Sequence, residues 1–160
     1  NLPKPAGIAL TSVTTSHEML VAVLAATDKA DAVIMAAAPA DFRPSAVSRT
    51  KIKKTMKQWD LPLERTEDIL SQIDDSVVKV GFAAETNDLI RYAKSKLSKK
   101  GAHLFVANDI TNPGSGFGTD TNQVTLLDPE GHQERLPLLD KHDVADHILD
   151  RVANLLPGAN

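Results

Sequence analysis

The sequence predicts an α/β domain: a doubly wound, mostly parallel sheet with an antiparallel hairpin towards its C-terminus. Three observations lead there. Asp31 to Ala38, which ends in a continuous apolar run, and the largely apolar Val77 to Phe82 and Ala102 to Ala107 read as strands buried on both faces, the mark of a parallel sheet. Segments with apolar residues at helical spacing alternate with these runs. The chain also holds only one Trp, one Tyr and four Phe, so alanine and branched aliphatics must fill the core. Small residues of that kind let helices lie close on a sheet.

Taken in order, Ile8 to Val13 reads as a short, weak strand. His17 to Thr27 follows as a helix, with Met19, Leu20, Val23 and Leu24 on its apolar face, Ser16 as N-cap and Glu18 suiting the helix dipole. Asp31 to Ala38 reads as a central strand, and Pro39 to Thr50 as loop. Trp59 to Glu64 is a short strand kept at an edge by Pro62. Thr66 caps a helix start whose apolar face is Ile69, Leu70 and Ile73. After the strand at Val77 to Phe82, Thr86 caps a helix that Gly101 ends near Lys100. Leu89, Ile90, Ala93 and Leu97 form its inner arc, with Lys96 and Lys100 together at one edge. Val124 to Leu127 and His132 to Leu136 pair as a hairpin turning at Pro129-Glu130-Gly131. Asp140 to Leu155 closes the chain as a helix with Val144, Ile148, Val152 and Leu155 inward. The weak opening reads as a domain entered part-way, so the expectation is one domain over residues 1–160, incomplete at its N-terminus.

Composition narrows the function. The 160 residues carry 18 Lys plus Arg against 21 Asp plus Glu, a net charge of −3, which argues against a nucleic-acid surface. No apolar run approaches the roughly 18 residues of a membrane span, so no membrane partner is expected. The absence of cysteine excludes disulfides, thiol catalysis and cysteine zinc sites, and fits a cytoplasmic protein. His142 and His147 are five apart, one step off the face a helical metal site uses, so no metal-ligating residues are assigned. Gly114-Ser115-Gly116-Phe117-Gly118 opens no helix and is neither a Walker loop nor a dinucleotide fingerprint.

In open α/β sheets, ligands bind beyond the carboxyl ends of the strands. Asp41-Phe42-Arg43-Pro44, Ala83-Ala84-Glu85-Thr86 and Asn108-Asp109 stand at such ends. Ala37, Ala38, Ala83 and Ala84 either let a flat ligand approach the backbone or only pack against helices. Asp41 either bonds a ribose hydroxyl or braces a turn. Lys51-Ile52-Lys53-Lys54 is either a lid over a polyphosphate or a solvated basic run. Lys96 and Lys100, one turn apart, either hold phosphate oxygens or are ordinary surface lysines.

Read as an ordered set, four motifs resemble the phosphopantothenoylcysteine synthetase family of coenzyme A biosynthesis. They are Ala36-Ala37-Ala38-Pro39-Ala40-Asp41-Phe42-Arg43-Pro44, Lys51-Ile52-Lys53-Lys54, Gly81-Phe82-Ala83-Ala84-Glu85-Thr86, and Ala107-Asn108-Asp109 with Gly116-Phe117. The resemblance spans nearly the whole chain and implies a Rossmann-like fold. It also implies a ligase that condenses 4′-phosphopantothenate with L-cysteine, in the bacterial type through an acyl-cytidylate made from CTP. Mg²⁺ is expected on the triphosphate, and a homodimer with its contact face near Asn122 to Pro137. The alternative is a non-catalytic CTP-binding or dimerisation module.

The same resemblance places Met35, Ala36, Ala37 and Phe82 around the nucleotide, with Asp41 near its sugar. Lys51 would sit on a flap as the catalytic cation, and Lys96 and Lys100 would face the nucleotide. Thr66, Glu67, Asp68 and Ile69 would line the site, where many relatives have Asn-Pro-Asp-Ile. The family's glycine-rich first strand and loop, and the decarboxylase domain often fused before it, have no counterpart in these residues.

Overall fold

The structure, a computed structural model, describes residues 4–53, 59–85, 97, 99–109, 112, 114–116 and 118–158. Thr86, Leu89, Ile90, Ala93, Lys96 and Phe117, all invoked above, lie outside the described residues. In chain order the elements are α1 (Ser16–Thr27), β1 (Ala32–Met35), β2 (Phe42–Pro44), β3 (Leu63–Arg65), a 3-10 turn (Leu70–Gln72), β4 (Val78–Glu85), β5 (Leu104–Asp109), β6 (Thr121–Asn122), β7 (Val124–Leu127), β8 (Gln133–Arg135), β9 (Leu139–Asp140) and α2 (Lys141–Leu155).

Five strands form the main sheet in the order β1-β4-β5-β7-β8. The first three run parallel, in a register that pairs Ala32 with Val78 and Val80 with Leu104. β7 then turns back antiparallel on β5, and β8 antiparallel on β7, as the hairpin pattern predicts. Alternation along β4 and β5 sends side chains to two cores. Val78, Val80, Leu104 and Val106 meet Val144, Ile148 and Val152 of α2 on one face. Phe105, Ala83 and Ala107 meet Leu70, Ile73, Val77 and Leu97 on the other. A sheet covered on both faces is what the doubly wound reading requires.

Helix ends follow local chemistry. α1 is capped by Thr15 rather than Ser16: Thr15 Oγ1 accepts from the Glu18 amide at 3.1 Å, and Glu18 Oε2 accepts from the Thr15 amide at 3.3 Å. Glu18 stands three residues after Thr15, the spacing a capping box needs. Leu97, Lys99 and Lys100 are helical, and Gly101 at φ +59° ends that helix. The Ala102 amide bonds Leu97 C=O at 3.2 Å, the long closing bond of a Schellman motif. Asp140 caps α2 through the His142 amide at 2.8 Å.

Several expectations need correction. Ile8 to Val13 is not a strand, and Ile8, Leu10 and Val13 are exposed. β1 lies at an edge of the sheet rather than its centre, because no other described strand pairs on its far side. It is only partly buried for the same reason, with Ile34 exposed. α1 is apolar all round, yet Leu20 is its one buried residue and Val21 is 56% exposed. The helix predicted from Thr66 is a single 3-10 turn, although Ile69, Leu70 and Ile73 are all buried as that pattern requires. β2 occupies part of the segment read as loop, and pairs with β3 in a two-stranded ribbon beside the main sheet.

Candidate functional site

A cavity of about 660 Å³ opens at the carboxyl ends of β1, β4 and β5, roofed by the β2–β3 ribbon. That volume falls in the range of small-molecule sites. It lies where ligands bind in open α/β sheets. The cavity brings together ten of the residues expected at the site: Met35, Ala36, Ala37, Asp41, Thr66, Glu67, Asp68, Ile69, Phe82 and Lys100. Lys51 is exposed on the loop after β2 and is not among the lining residues. Lys96 lies outside the described residues.

Local chemistry shapes each wall. Small residues at 36–38 leave the chain after β1 free of bulk, so backbone groups border the cavity. Thr66 pins the opposite wall: its Oγ1 donates to Ala40 C=O at 2.6 Å, and its amide to Asp41 C=O at 3.0 Å. The floor needs Gly81. A Cβ there would stand 2.5 Å from Phe105 Cε2 and 3.1 Å from Leu70 Cδ2, so the ring lies directly on the β4 backbone.

Charge at the cavity is mixed. Asp68 Oδ2 lies 3.4 Å from Lys100 Nζ. Glu67 Oε1 meets His17 Nδ1 at 3.2 Å, while its Oε2 has no hydrogen-bond partner among the described residues and stands 3.9 Å from Arg43 Nη1. Hydrogen bonds from its own backbone amide and from His17 hold the Glu67 carboxyl below the usual range. Arg43 is itself paired with Glu64 at 2.8 Å. The Arg65 guanidinium stands 5.9 Å above the Phe42 ring at the cavity rim.

Sequence reasoning missed Arg65, Leu70 and Phe105 as lining residues. Arg65 was accessible to it through its place next to Thr66. Phe105 had one signal, the lone glycine inside the neighbouring strand, which marks a close approach.

A second grouping lies at the β7–β8 turn, where ligand atoms of Asp128, Glu130 and His132 fall within 4.8 Å of one another. Asp128 is already engaged there. It accepts from the His132 amide at 2.8 Å, its Oδ2 lies 3.0 Å from the His132 ring, and Arg151 stands at 3.5 Å. These contacts lock the turn to α2, and the guanidinium opposes a cation. Burial alone would raise the Asp128 carboxyl, but the backbone and ring donors of His132 outweigh it and hold the group below its usual value.

Residues 1–156 match the family described as the DNA/pantothenate metabolism flavoprotein C-terminal domain. The chain belongs to this family. The coenzyme A biosynthesis bifunctional protein CoaBC of Bacillus subtilis is 43% identical over 159 residues, covering 97% of this chain and 39% of that protein. Its counterpart in Vibrio parahaemolyticus is 37% identical, covering 98% of this chain and 40% of that protein. The chain thus spans about two fifths of the curated relatives it matches. Among solved structures, the C-terminal domain of a CoaBC protein superposes with a TM-score of 0.76 at 35% identity, covering 94% of this chain and 67% of that one. A Cab2 H337A variant, solved with phosphopantothenate-cysteine, shares the fold at a TM-score of 0.65 and 18% identity.

Proposed function

We propose that these residues belong to a phosphopantothenate–cysteine ligase domain that uses CTP. The observation that carries the reading is the cavity, which gathers ten residues scattered from Met35 to Lys100 in a chain of this family. The carboxylate of 4′-phosphopantothenate attacks the α-phosphorus of CTP, pyrophosphate leaves, and the cysteine amine then attacks the acyl carbon as CMP departs. No protein nucleophile is required. The chain's task is to align two anions and offset charge that builds at phosphorus.

Backbone groups at Ala36 and Ala37 suit a base edge, Asp41 suits a ribose hydroxyl, and Phe82 borders the same space. Lys100 faces the phosphates from the opposite wall. The described lining holds three carboxylates, Asp41, Glu67 and Asp68, against two cations, Arg65 and Lys100. A triphosphate therefore needs further positive charge. Lys51 is one source, from a loop that would move over the site, and Lys96 a second. Mg²⁺ is another. Glu67 and Asp68 are already paired, so the ion would be held mainly by phosphate oxygens rather than a protein cage.

We further read the 160 residues as belonging to a single domain of a cytoplasmic homodimer. α1 leaves Val21 and Leu24 exposed, and β1 stands at an edge of the main sheet. The hairpin near Asn122 to Pro137 offers a polar outer strand with Gln133 and Arg135 exposed. Exposed apolar residues also stand on the β2–β3 ribbon and the segments beside it, in Phe42, Val47, Trp59, Leu61 and Leu63, a second candidate dimer surface. No helix among the described residues is long and apolar enough to cross a membrane. A nucleotide-binding module without turnover is the second reading, favoured by the position of Lys51 away from the cavity.

The first test compares the thermal stability of the chain with CTP·Mg and with ATP·Mg. A ligand at a hundredfold excess over Kd adds about 2.7 kcal/mol. A rise with CTP is expected, and no rise with either nucleotide removes the nucleotide site. Pyrophosphate release that requires 4′-phosphopantothenate separates ligase from binding module. Lys51→Gln should abolish that release and leave the fold intact.

A further inference from the structure

We infer that Asp68 is a positioning residue that holds Lys100 at the cavity wall and weakens nucleoside triphosphate binding by competing for it. This rests on the nucleotide reading above. Asp68 is the fixed member of the pair. Its Oδ1 takes the Ser71 amide at 3.5 Å, and its backbone carbonyl takes Ser71 Oγ at 2.9 Å and Gln72 Nε2 at 3.3 Å. The turn it belongs to is anchored by Ile69 and Leu70, both buried. Lys100 is the movable member, an ammonium on a flexible stem just before Gly101. Its side chain is 32% exposed and that of Asp68 46% exposed, so neither is locked by burial.

The Asp68 carboxylate therefore decides where the Lys100 ammonium rests. An incoming triphosphate must draw the ammonium away, while the turn keeps Asp68 at the wall of the site. Its charge stays beside the bound phosphates. Both effects oppose binding, and both vanish when the carboxylate becomes an amide of the same shape. Asn keeps an acceptor for the Ser71 amide, so the turn survives the change.

The experiment measures CTP and ATP affinity by calorimetry for wild type, Asp68→Asn, Lys100→Gln and the double variant. Asp68→Asn should tighten triphosphate binding about threefold to tenfold, the effect expected of one lost competing charge at a partly exposed site. The gain should shrink with added salt. It should also shrink in the Lys100→Gln background, where no ammonium is left to compete for. A merely structural Asp68 predicts a lower melting temperature with no tightening, and that result overturns the inference. So does binding by wild type that Asp68→Asn leaves unchanged or weakens. No binding of CTP or ATP by any of the four overturns the nucleotide reading, and this inference with it.

Discussion

Replacing Gly81 by Ala tests the packing beneath the cavity. The new methyl would stand 2.5 Å from Phe105 Cε2 and 2.9 Å from Cδ2, against roughly 3.5–4.0 Å for an unstrained carbon pair. The ring must move by about 1 Å to restore that distance. Phe105 is 1% exposed and shares its buried cluster with Leu70, Ile73 and Leu127, so it has little room to do so. Overpacking of this kind costs roughly 1–3 kcal/mol. Reduced freedom of the unfolded chain returns about 0.4–1 kcal/mol. The net expectation is a loss of about 1–2 kcal/mol, or a fall in Tm of roughly 2–8 °C for a chain of this length. Urea unfolding of wild type and variant at a common m-value measures it. Combining the change with Phe105→Leu, which removes the ring edge, should return part of the loss. A variant within about 0.3 kcal/mol of wild type, or a double variant whose losses simply add, would falsify this account of the floor.

Three further outcomes follow from the contacts described. Thr15→Ala removes the α1 cap and should cost about 1 kcal/mol in a denaturant melt, while Ser16→Ala should cost much less. Lys79 is almost fully buried, with Nζ 3.1 Å from Ile73 C=O and 2.5 Å from Asp75. Lys79→Met should therefore be neutral or stabilising, whereas Asp75→Asn leaves the buried ammonium without its counter-charge and should destabilise by about 1 kcal/mol or more. The carboxyl of Glu18 is lowered by the Thr14 and Thr15 amides and that of Asp74 by the Ser76 hydroxyl and amide, alongside the lowered Glu67 and Asp128. The unfolded chain then binds more protons in acid. Stability should be full above about pH 5 and fall as the pH drops through the lowered folded values. His132→Ala should flatten part of that fall, and an unchanged slope would remove the ring from the Asp128 contact.

The parallel strands were legible because burial on both faces leaves a largely apolar run, broken in Val77 to Phe82 only by Lys79. The hairpin and α2 were legible because a Pro-Glu-Gly turn and a regular helical stripe are local signals. What escaped depends on neighbours remote in the chain. β2 is three residues long and exists through its pairing with Leu63–Arg65. The edge position of β1 cannot be read from its own apolar residues. The cavity was half legible: small residues after β1, Asp41 and Phe82 stood in recognisable motifs, and Lys100 in a lysine pair. That Asp68 would meet Lys100, or that Phe105 would lie on Gly81, required the fold.

The change of strand direction within the sheet also sets an order of assembly. β7 and β8 join residues as close as Leu127 and Gln133, while β1 and β4 must bring Ala32 to Val78. Closing the longer loop costs more chain entropy before any contact rewards it. We expect the antiparallel half and α2 to form early, and β1 with the β2–β3 ribbon to dock late. Amide exchange should then be slowest in β5 and β7 and fastest in β1; the reverse ranking would contradict this order. The cavity is bordered by those late pieces, so its rim should be where the native chain opens most often.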